Sequence, residues 1–133
     1  MGYTHYWNFN EKPSQEKFSE LVEGVKQIVA TAEEAGIAIG EQKYESGYFS
    51  FNGVDGGAHE TFSIDIRTQE EDFCKTAEKP YDMAVTASLI LAKKIFGEDI
   101  EIRSDGNWSD WESGQLLYES VYNIQPENVF ANA

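Results

Sequence analysis

The sequence predicts an α+β fold: a two-layer sandwich with a mostly antiparallel sheet of four to five strands and three helices, in the order β-α-β-β-β-α-β-α. Three observations lead to this prediction. Short segments alternate between apolar and polar residues, which is typical of half-buried strands. Longer segments repeat apolar residues at helical spacing. Several strands follow one another directly along the chain, which favours antiparallel pairing.

The first strand and the first helix have the clearest patterns. Segment 3–9 alternates, and it places aromatic residues together on one face of a strand. A helix then begins at Pro13 and Ser14 and ends at Gly36. The apolar residues of this helix form one stripe that faces a core: Phe18, Leu21, Val22, Val25, Ile28, Val29 and Ala32.

Three short strands are predicted next, at residues 37–39, 47–52 and 61–67. The last two are expected to form a hairpin around the glycine-rich loop 52–60. The helices cover one face of the sheet. The other face carries polar and aromatic side chains such as Tyr6, Tyr48 and Ser63, and it either faces water or meets a second copy.

The second half of the chain supplies a central helix. Segment 81–96 is apolar almost all round, which predicts a buried helix that ends at Gly97. A strand at 99–103 follows, and then a third helix with a capping box formed by Ser109 and Glu112. This helix runs to about Tyr122. The tail 124–133 has few apolar anchors, so we expect it to be loose or docked on a partner subunit.

The length of the chain and its net charge limit the number of domains and the classes of partner. The 133 residues suit one domain, which we place at 1–123. With 24 acidic and 10 basic residues the formal net charge is −14, which disfavours direct binding to nucleic acid or to anionic membranes.

The sequence also bears on localisation. No apolar run is long enough to span a membrane, the N-terminus lacks a signal-peptide pattern, and a single cysteine excludes an internal disulfide. We therefore expect a cytoplasmic protein.

Two lysines precede the central helix, in the segment FCKTAEKPYD at 73–82. A helix N-terminus exposes unpaired N–H groups and a partial positive charge. Lys75, Thr76 and Lys79, with the amides near Tyr81, would add cations and hydrogen-bond donors to it. This combination predicts a pocket for an anion or a phosphate, although no P-loop motif accompanies it. Alternatively, the lysines only offset the neighbouring acids.

Aromatic side chains extend the predicted pocket. Tyr3, Trp7 and Tyr48 are the candidates for stacking on a planar ligand such as a nucleotide base. The alternative is that these rings fill the core or a subunit interface, where such residues are common.

Histidine and cysteine add a second kind of candidate site. His59 joins the ligand-binding residues, and with Glu60 it would form the acid–base pair of a small phosphodiester hydrolase. The histidines and Cys74 lie on separate elements without metal-ligand spacing, so neither a metal site nor a cofactor is predicted. Cys74 is expected to be a buried structural thiol. The acidic residues of the segment DGNWSDWE do not have the spacing of a calcium-binding loop, so this segment is predicted to be a turn and a helix cap.

Four motifs together resemble a family of small, largely uncharacterised proteins of tailed phages and prophages. The motifs are MGYTHYW at the start, FNG with HETF in the middle, FCKTAEKPYD, and SDGNWSDWESGQLLYE. The resemblance extends from Met1 to about Tyr122, so it leaves out the tail. Similar segments carry a basic residue where Glu78 stands, which implies a weaker anion site in this chain.

The resemblance implies a viral protein that acts in the bacterial cytoplasm by binding rather than by catalysis. Our leading expectation is a non-enzymatic homo-oligomer that sequesters a small anionic ligand, such as a cyclic nucleotide signal of antiphage defence. The alternative is an acidic protein–protein inhibitor or DNA mimic that acts on a host protein. A small hydrolase based on His59 and Glu60 is the third possibility.

Overall fold

The computed structural model describes residues 3–67 and 71–130 and confirms the α+β class. Within these residues the strands are β1 (Thr4–Phe9), β2 (Ile39–Glu45), β3 (Tyr48–Gly53), β4 (Phe62–Asp65), β5 (Asp72–Lys75) and β6 (Ile100–Ser104). The helices are α1 (Gln15–Glu34), α2 (Asp82–Phe96) and α3 (Glu112–Tyr122). None of the described helices is long and apolar enough to cross a lipid bilayer.

The strands divide into two antiparallel sheets of three strands, ordered β2-β3-β4 and β5-β1-β6. The sequence predicted one sheet of four to five strands, and it missed β5. This strand has only four residues, with an exposed Phe73 and a buried Cys74, so its alternation is too short to stand out. The two sheets meet where the Glu60 N–H donates to the Lys75 carbonyl at 3.2 Å.

The helices pack together through small residues. The Ser14 side chain caps α1 by accepting from the Lys17 N–H, and the predicted apolar stripe of α1 is buried. A Cβ atom on Gly24 of α1 would overlap Leu91 of α2, and one on Gly114 of α3 would overlap Thr86 of α2. These two glycines therefore let both outer helices approach the central helix closely.

Two local predictions differ from the structure. The strand predicted at 37–39 begins instead at Ile39 and runs to Glu45. The predicted capping box of Ser109 and Glu112 is wrong. Asn107 and Asp110 form the capping box, at the start of a short 3₁₀ turn that leads into α3.

The segment after α3 packs on the protein's own surface as far as the described residues reach. Val129 is buried, and the Phe130 ring lies edge-on to Trp111 with a centroid distance of 5.0 Å. The expectation of a loose or partner-docked tail also covered residues 131–133, which lie outside the described residues. The segment 124–130 thus runs beside the end of β6, where the polar side chains described next are found.

Candidate functional site

A buried histidine joins three elements at one end of the β5-β1-β6 sheet. His5 points inward from β1 and has no exposed surface. Its Nε2 lies 2.6 Å from Asp82 Oδ1 at the start of α2, and its Nδ1 lies 2.8 Å from Ser104 Oγ at the end of β6. One imidazole therefore ties both the first residue of the central helix and the last residue of an edge strand to β1.

The hydrogen bonds around Ser104 assign the tautomer of this imidazole. The Ser104 Oγ accepts from the Gly106 N–H at 3.0 Å and from the Trp111 Nε1–H at 3.3 Å. Because these donors use both lone pairs, the hydroxyl hydrogen is the group left to donate to His5 Nδ1. The ring hydrogen is then on Nε2, which donates it to Asp82.

The order serine–histidine–aspartate is also found in nucleophilic hydrolases, but the geometry here is that of a structural cluster. His5 is enclosed, and both lone pairs that Ser104 would need for attack already accept hydrogen bonds. Asp82 Oδ1 additionally accepts from the Thr76 hydroxyl at 2.6 Å. The cluster therefore fixes the junction of the sheet with α2. Sequence reasoning missed it because its members are far apart in the chain.

Tyr3 covers this cluster from outside. Its ring lies edge-on to His5 with a centroid distance of 5.1 Å. Burial, with further contributions from the negative charges of Asp82, Asp110 and Glu78, raises the pKa of the Tyr3 hydroxyl to about 12. The carboxylates of Asp82, Asp110 and Glu78 thus lie near enough to the Tyr3 hydroxyl to disfavour its anionic form. A phosphate bound beside Tyr3 would meet the same repulsion.

Lys75 and Lys79 lie at the end of β5 and in the turn after it. Ala77 and Glu78 both have left-handed backbone angles, with φ of 53° and 56°, and the Lys79 N–H donates to the Thr76 carbonyl at 3.0 Å. Within the described residues, neither ammonium group has a carboxylate within 4.0 Å. Two positive charges nevertheless share this end of the sheet with a larger number of carboxylates, those of Glu60, Glu78, Asp82, Asp105 and Asp110.

At the N-terminus of α2, where an anion pocket was predicted, the structure places a carboxylate and two buried hydroxyl groups. Asp82 is the first residue of this helix, and its carboxylate supplies the negative charge that the helix N-terminus favours. Thr76 is buried, and its hydroxyl donates to Asp82 instead of a ligand. Tyr81 is buried as well, and its hydroxyl donates to the Glu60 carbonyl. These side chains complete the fold rather than face solvent.

The predicted stacking residues are not brought together. Trp7 is 3% exposed and its ring packs edge-on against Phe62 at 5.2 Å, so this ring fills the core, which was the alternative interpretation. Tyr48 pairs with Asp65, at the end of β4 away from Glu60 and Lys75. Asp65 is the last residue of β4, about 10 Å of extended strand beyond Phe62. Tyr48 is therefore remote from the lysines.

His59 and Glu60 are exposed, but their contacts are those of a loop anchor. The Asn52 side chain bonds to both the N–H and the carbonyl of His59. The Glu60 Oε1 accepts from the Lys75 N–H at 2.7 Å. This carboxylate thus satisfies a backbone donor of β5, and no contact joins it to the imidazole of His59. The geometry gives the hydrolase hypothesis no support.

Cys74 is a buried thiol, as the sequence predicted. Burial raises the pKa of this thiol to about 12, and Sγ lies 3.5 Å from the Glu60 carbonyl oxygen. Within the described ranges, no group of three or more His, Cys, Asp or Glu side chains is placed to hold a metal ion.

The outer face of the β5-β1-β6 sheet carries an aromatic surface that the sequence revealed only in part. Phe73 is 55% exposed, and its ring lies 6.4 Å from that of Tyr6. The Arg103 guanidinium lies 5.3 Å from the centre of the Tyr6 ring and is ion-paired with Glu71. Side chains with exposed or half-exposed surface make up this outer face: Tyr6, Asn8, Phe73, Lys75, Glu101 and Arg103. Tyr6 was predicted to lie on it, whereas Phe73 could not be placed without β5.

Searches against protein-family models, curated proteins and solved structures give no match.

Proposed function

We propose that the protein is a non-enzymatic binding protein that docks on a basic protein partner through the outer face of the β5-β1-β6 sheet. The observation that supports this function is the exposed Phe73, held beside a half-exposed Tyr6 that carries Arg103 on its ring. Tyr, Phe and Arg are enriched in protein interfaces, and a central aromatic or arginine anchor supplies much of the binding energy.

The aromatic group is held in place before any partner binds. Arg103 is fixed by its ion pair with Glu71 and by its position over Tyr6, and both anchors stand on strands rather than loops. Fewer side-chain rotamers are then lost on binding, which favours affinity. Burial of a whole phenylalanine side chain contributes roughly 1.5–3 kcal/mol, so covering the exposed half of Phe73 contributes about half of that.

The charge of the outer face and of the whole chain indicates a partner with basic residues. On the outer face and its rim, Lys75 and Arg103 balance Glu71 and Glu101, so the centre of the surface is close to neutral. The chain as a whole carries −14. A partner with basic residues around an apolar contact would be steered towards this surface and would gain complementary charges at its rim. The resemblance to tailed-phage proteins makes a bacterial host protein the expected partner.

Sequestration of a small anion is less compatible with the geometry. Sequestration depends on Lys75 and Lys79, but three carboxylates lie near the Tyr3 hydroxyl and the N-terminus of α2 already has its own carboxylate. Different variants separate the two functions, because docking depends on Phe73 whereas sequestration depends on Lys75 together with Lys79.

The test compares two exposed apolar side chains of similar accessibility. Phe73 is 55% exposed on β5 and Leu116 is 59% exposed on α3. Phe73→Thr retains strand propensity and Leu116→Gln retains helix propensity. Immobilised wild-type protein and both variants are incubated with bacterial lysate, and the retained proteins are quantified at low and high salt.

We expect wild type and Leu116→Gln to retain the same basic protein, and Phe73→Thr to retain roughly three- to tenfold less of it, because the exposed half of Phe73 contributes about 0.75–1.5 kcal/mol. Retention should weaken as salt increases. Equal retention by Phe73→Thr would contradict the proposed function. If instead heating the purified protein releases a bound nucleotide, and Lys75→Ala with Lys79→Ala abolishes that release, small-anion sequestration replaces it.

A further inference from the structure

We propose that two copies of this chain pair through the outer edge of β6, antiparallel and with Ile102 facing Ile102 of the second copy. This inference concerns the edge of the β5-β1-β6 sheet and does not depend on the proposed function of its outer face. Within residues 3–67 and 71–130, β6 has one strand neighbour, β1, so its other edge is open.

The hydrogen bonds to β1 show which backbone groups of β6 point outward. The Asp99 carbonyl accepts from the Asn10 N–H at 2.7 Å, and the Asp105 N–H donates to the Thr4 carbonyl at 2.9 Å. In an antiparallel pair, alternate residues bond to the partner strand, so residues 99, 101, 103 and 105 face β1. Residues 100, 102 and 104 then face away. The Ile100 carbonyl confirms this direction, because it accepts from Lys93 Nζ at 2.8 Å.

The N–H and carbonyl groups of Ile102 and Ser104 therefore point to the open edge. A groove of about 570 Å³ runs along this edge, with Trp108 and Phe130 in its wall. Unpaired groups on an edge strand are a template for pairing with another strand. The described part of the chain places no strand there. Lys93, Val129 and Phe130 of the same chain line the groove, so a second β6 would enter between them and the edge.

The sequence of β6, IEIRS, is complementary to itself in one register. When Ile102 faces Ile102 of the second copy, Glu101 stands opposite Arg103 of that copy, and Arg103 stands opposite its Glu101. All four side chains are exposed on the outer face. Opposite charges in directly facing positions stabilise strand pairing. Arg103 also keeps enough N–H donors to bond to Glu71 in its own chain.

The neighbouring registers are disfavoured by the same two residues. The outward backbone groups can pair only when even-numbered residues face even-numbered residues. A shift one way places Ile100 opposite Ile102 and brings two Glu101 carboxylates together. A shift the other way places Ile102 opposite Ser104 and brings two Arg103 guanidiniums together. Like charges in facing positions destabilise pairing, so charge selects the register centred on Ile102.

This pairing would join two three-stranded sheets into one continuous sheet of six strands. The two-fold axis would be perpendicular to the sheet, so both outer faces would lie on the same side. Each dimer would then present two copies of the Phe73 surface in one direction, which allows bivalent binding. The contact is short, so we expect a dimer dissociation constant on the order of tens of micromolar or weaker.

A charge-swap experiment on the full chain tests the pairing. The masses of wild type, Glu101→Arg, Arg103→Glu and the double variant are measured across a concentration series by sedimentation equilibrium. Each single reversal places like charges opposite each other twice, and we expect it to raise the dimer dissociation constant roughly tenfold or more. The double variant restores opposite charges and should dimerise about as well as wild type. Arg67→Glu is the matched control, because Arg67 is an exposed arginine with its own acidic partner, Asp65, away from the edge.

Amide hydrogen exchange provides a second readout that needs no variant. The Arg103 amide bonds to β1 and should exchange slowly at every concentration, whereas the Ile102 amide should be protected only where the dimer forms. A monomeric mass at every concentration up to about 0.5 mM would overturn the proposal. A dimer that tolerates both single reversals, or an Ile102 amide whose exchange does not depend on concentration, would overturn it as well.

Discussion

The inner faces of the two sheets are both buried, but different side chains fill them. In the β2-β3-β4 sheet the inward side chains are Phe49, Phe51, Phe62 and Ile64, and their rings pack at tilted or edge-on angles. In the β5-β1-β6 sheet the end near α2 holds a buried imidazole and a buried hydroxyl group, which hydrogen-bond to a half-buried hydroxyl and a half-buried carboxylate. The first face is apolar throughout, and the second is polar at one end.

The difference shows what each kind of burial can specify. Apolar burial is not directional, so the aromatic face requires the right total volume more than a particular angle. A buried hydrogen bond requires a partner at a fixed position, and an unpaired group is costly. The polar end of the β5-β1-β6 sheet therefore fixes how α2 begins, whereas the aromatic face contributes hydrophobic burial without fixing a direction. Substitutions at Phe62 and Asp82 separate these roles, and substitutions at Gly114 and Ser88 then test the same two kinds of burial on the helices.

The largest loss of stability is expected from a substitution on the apolar inner face of the β2-β3-β4 sheet. Phe62 has no exposed surface and contacts the rings of Trp7, Phe49 and Phe51. Phe62→Ala should lower the free energy of unfolding by about 3–5 kcal/mol, because it removes buried area and leaves a cavity. Urea denaturation measures the change. Phe62→Leu, which retains much of the volume, should lose well under half as much; equal losses would show that the face depends on more than volume.

The next largest effect is expected at the polar end. Asp82→Ala removes the acceptor for both His5 Nε2 and the Thr76 hydroxyl, and it should cost about 2–4 kcal/mol. Asp82→Asn retains an acceptor oxygen and should cost less. The two variants are compared by urea denaturation. An alanine variant as stable as the asparagine variant would show that these hydrogen bonds contribute little.

Packing between α2 and α3 should be sensitive to a single methyl group. Gly114→Ala brings a Cβ atom into the Thr86 side chain, and overpacking of this kind costs about 1–3 kcal/mol. Thr86→Ala removes the obstructing hydroxyl, so the double variant should recover part of the loss. Thermal unfolding of the four proteins in this cycle gives the coupling. If the stability changes of the two single variants simply add in the double variant, the methyl group added at position 114 and the Thr86 side chain do not overlap.

The smallest change should increase stability. Ser88 Oγ, on α2, is the one buried side-chain oxygen or nitrogen without a hydrogen-bond partner in the described residues. Ser88→Ala removes this unpaired group and raises helix propensity, so a gain of about 1 kcal/mol is expected. Thr86→Ala is the contrasting control, since its hydroxyl bonds to the carbonyls of Asp82 and Met83. A loss of stability in Ser88→Ala would mean that the hydroxyl has a partner.

The regular parts of the fold were predictable because their signals are local. The apolar stripe of α1 and the all-round apolar composition of α2 lie within single segments, and each identified its helix. The division into two sheets was not predictable in this way. It depends on β5, which is only four residues long, and on a ladder that pairs β1 with strands far along the chain.

The polar cluster could not be read from the sequence for a related reason. His5 is separated from Asp82 by 77 positions and from Ser104 by 99. Lys75 and Lys79, in contrast, are conspicuous because they are close together and precede a helix. The structure shows that Asp82, the first residue of that helix, already supplies the negative charge there. Local motifs identified exposed charges, whereas the arrangement that decides their role depends on the tertiary fold.

Site-specific photo-crosslinking in bacterial cells tests the proposed docking surface most directly. A photoreactive phenylalanine analogue is introduced at position 73 in one variant and at position 116 in another, because both positions are exposed to a similar extent. If a partner docks on the Phe73 surface, we expect an adduct at position 73 with a protein other than a second copy of this chain, and no adduct at position 116. Equal adducts at both positions, or adducts only with a second copy, would contradict the proposed docking surface.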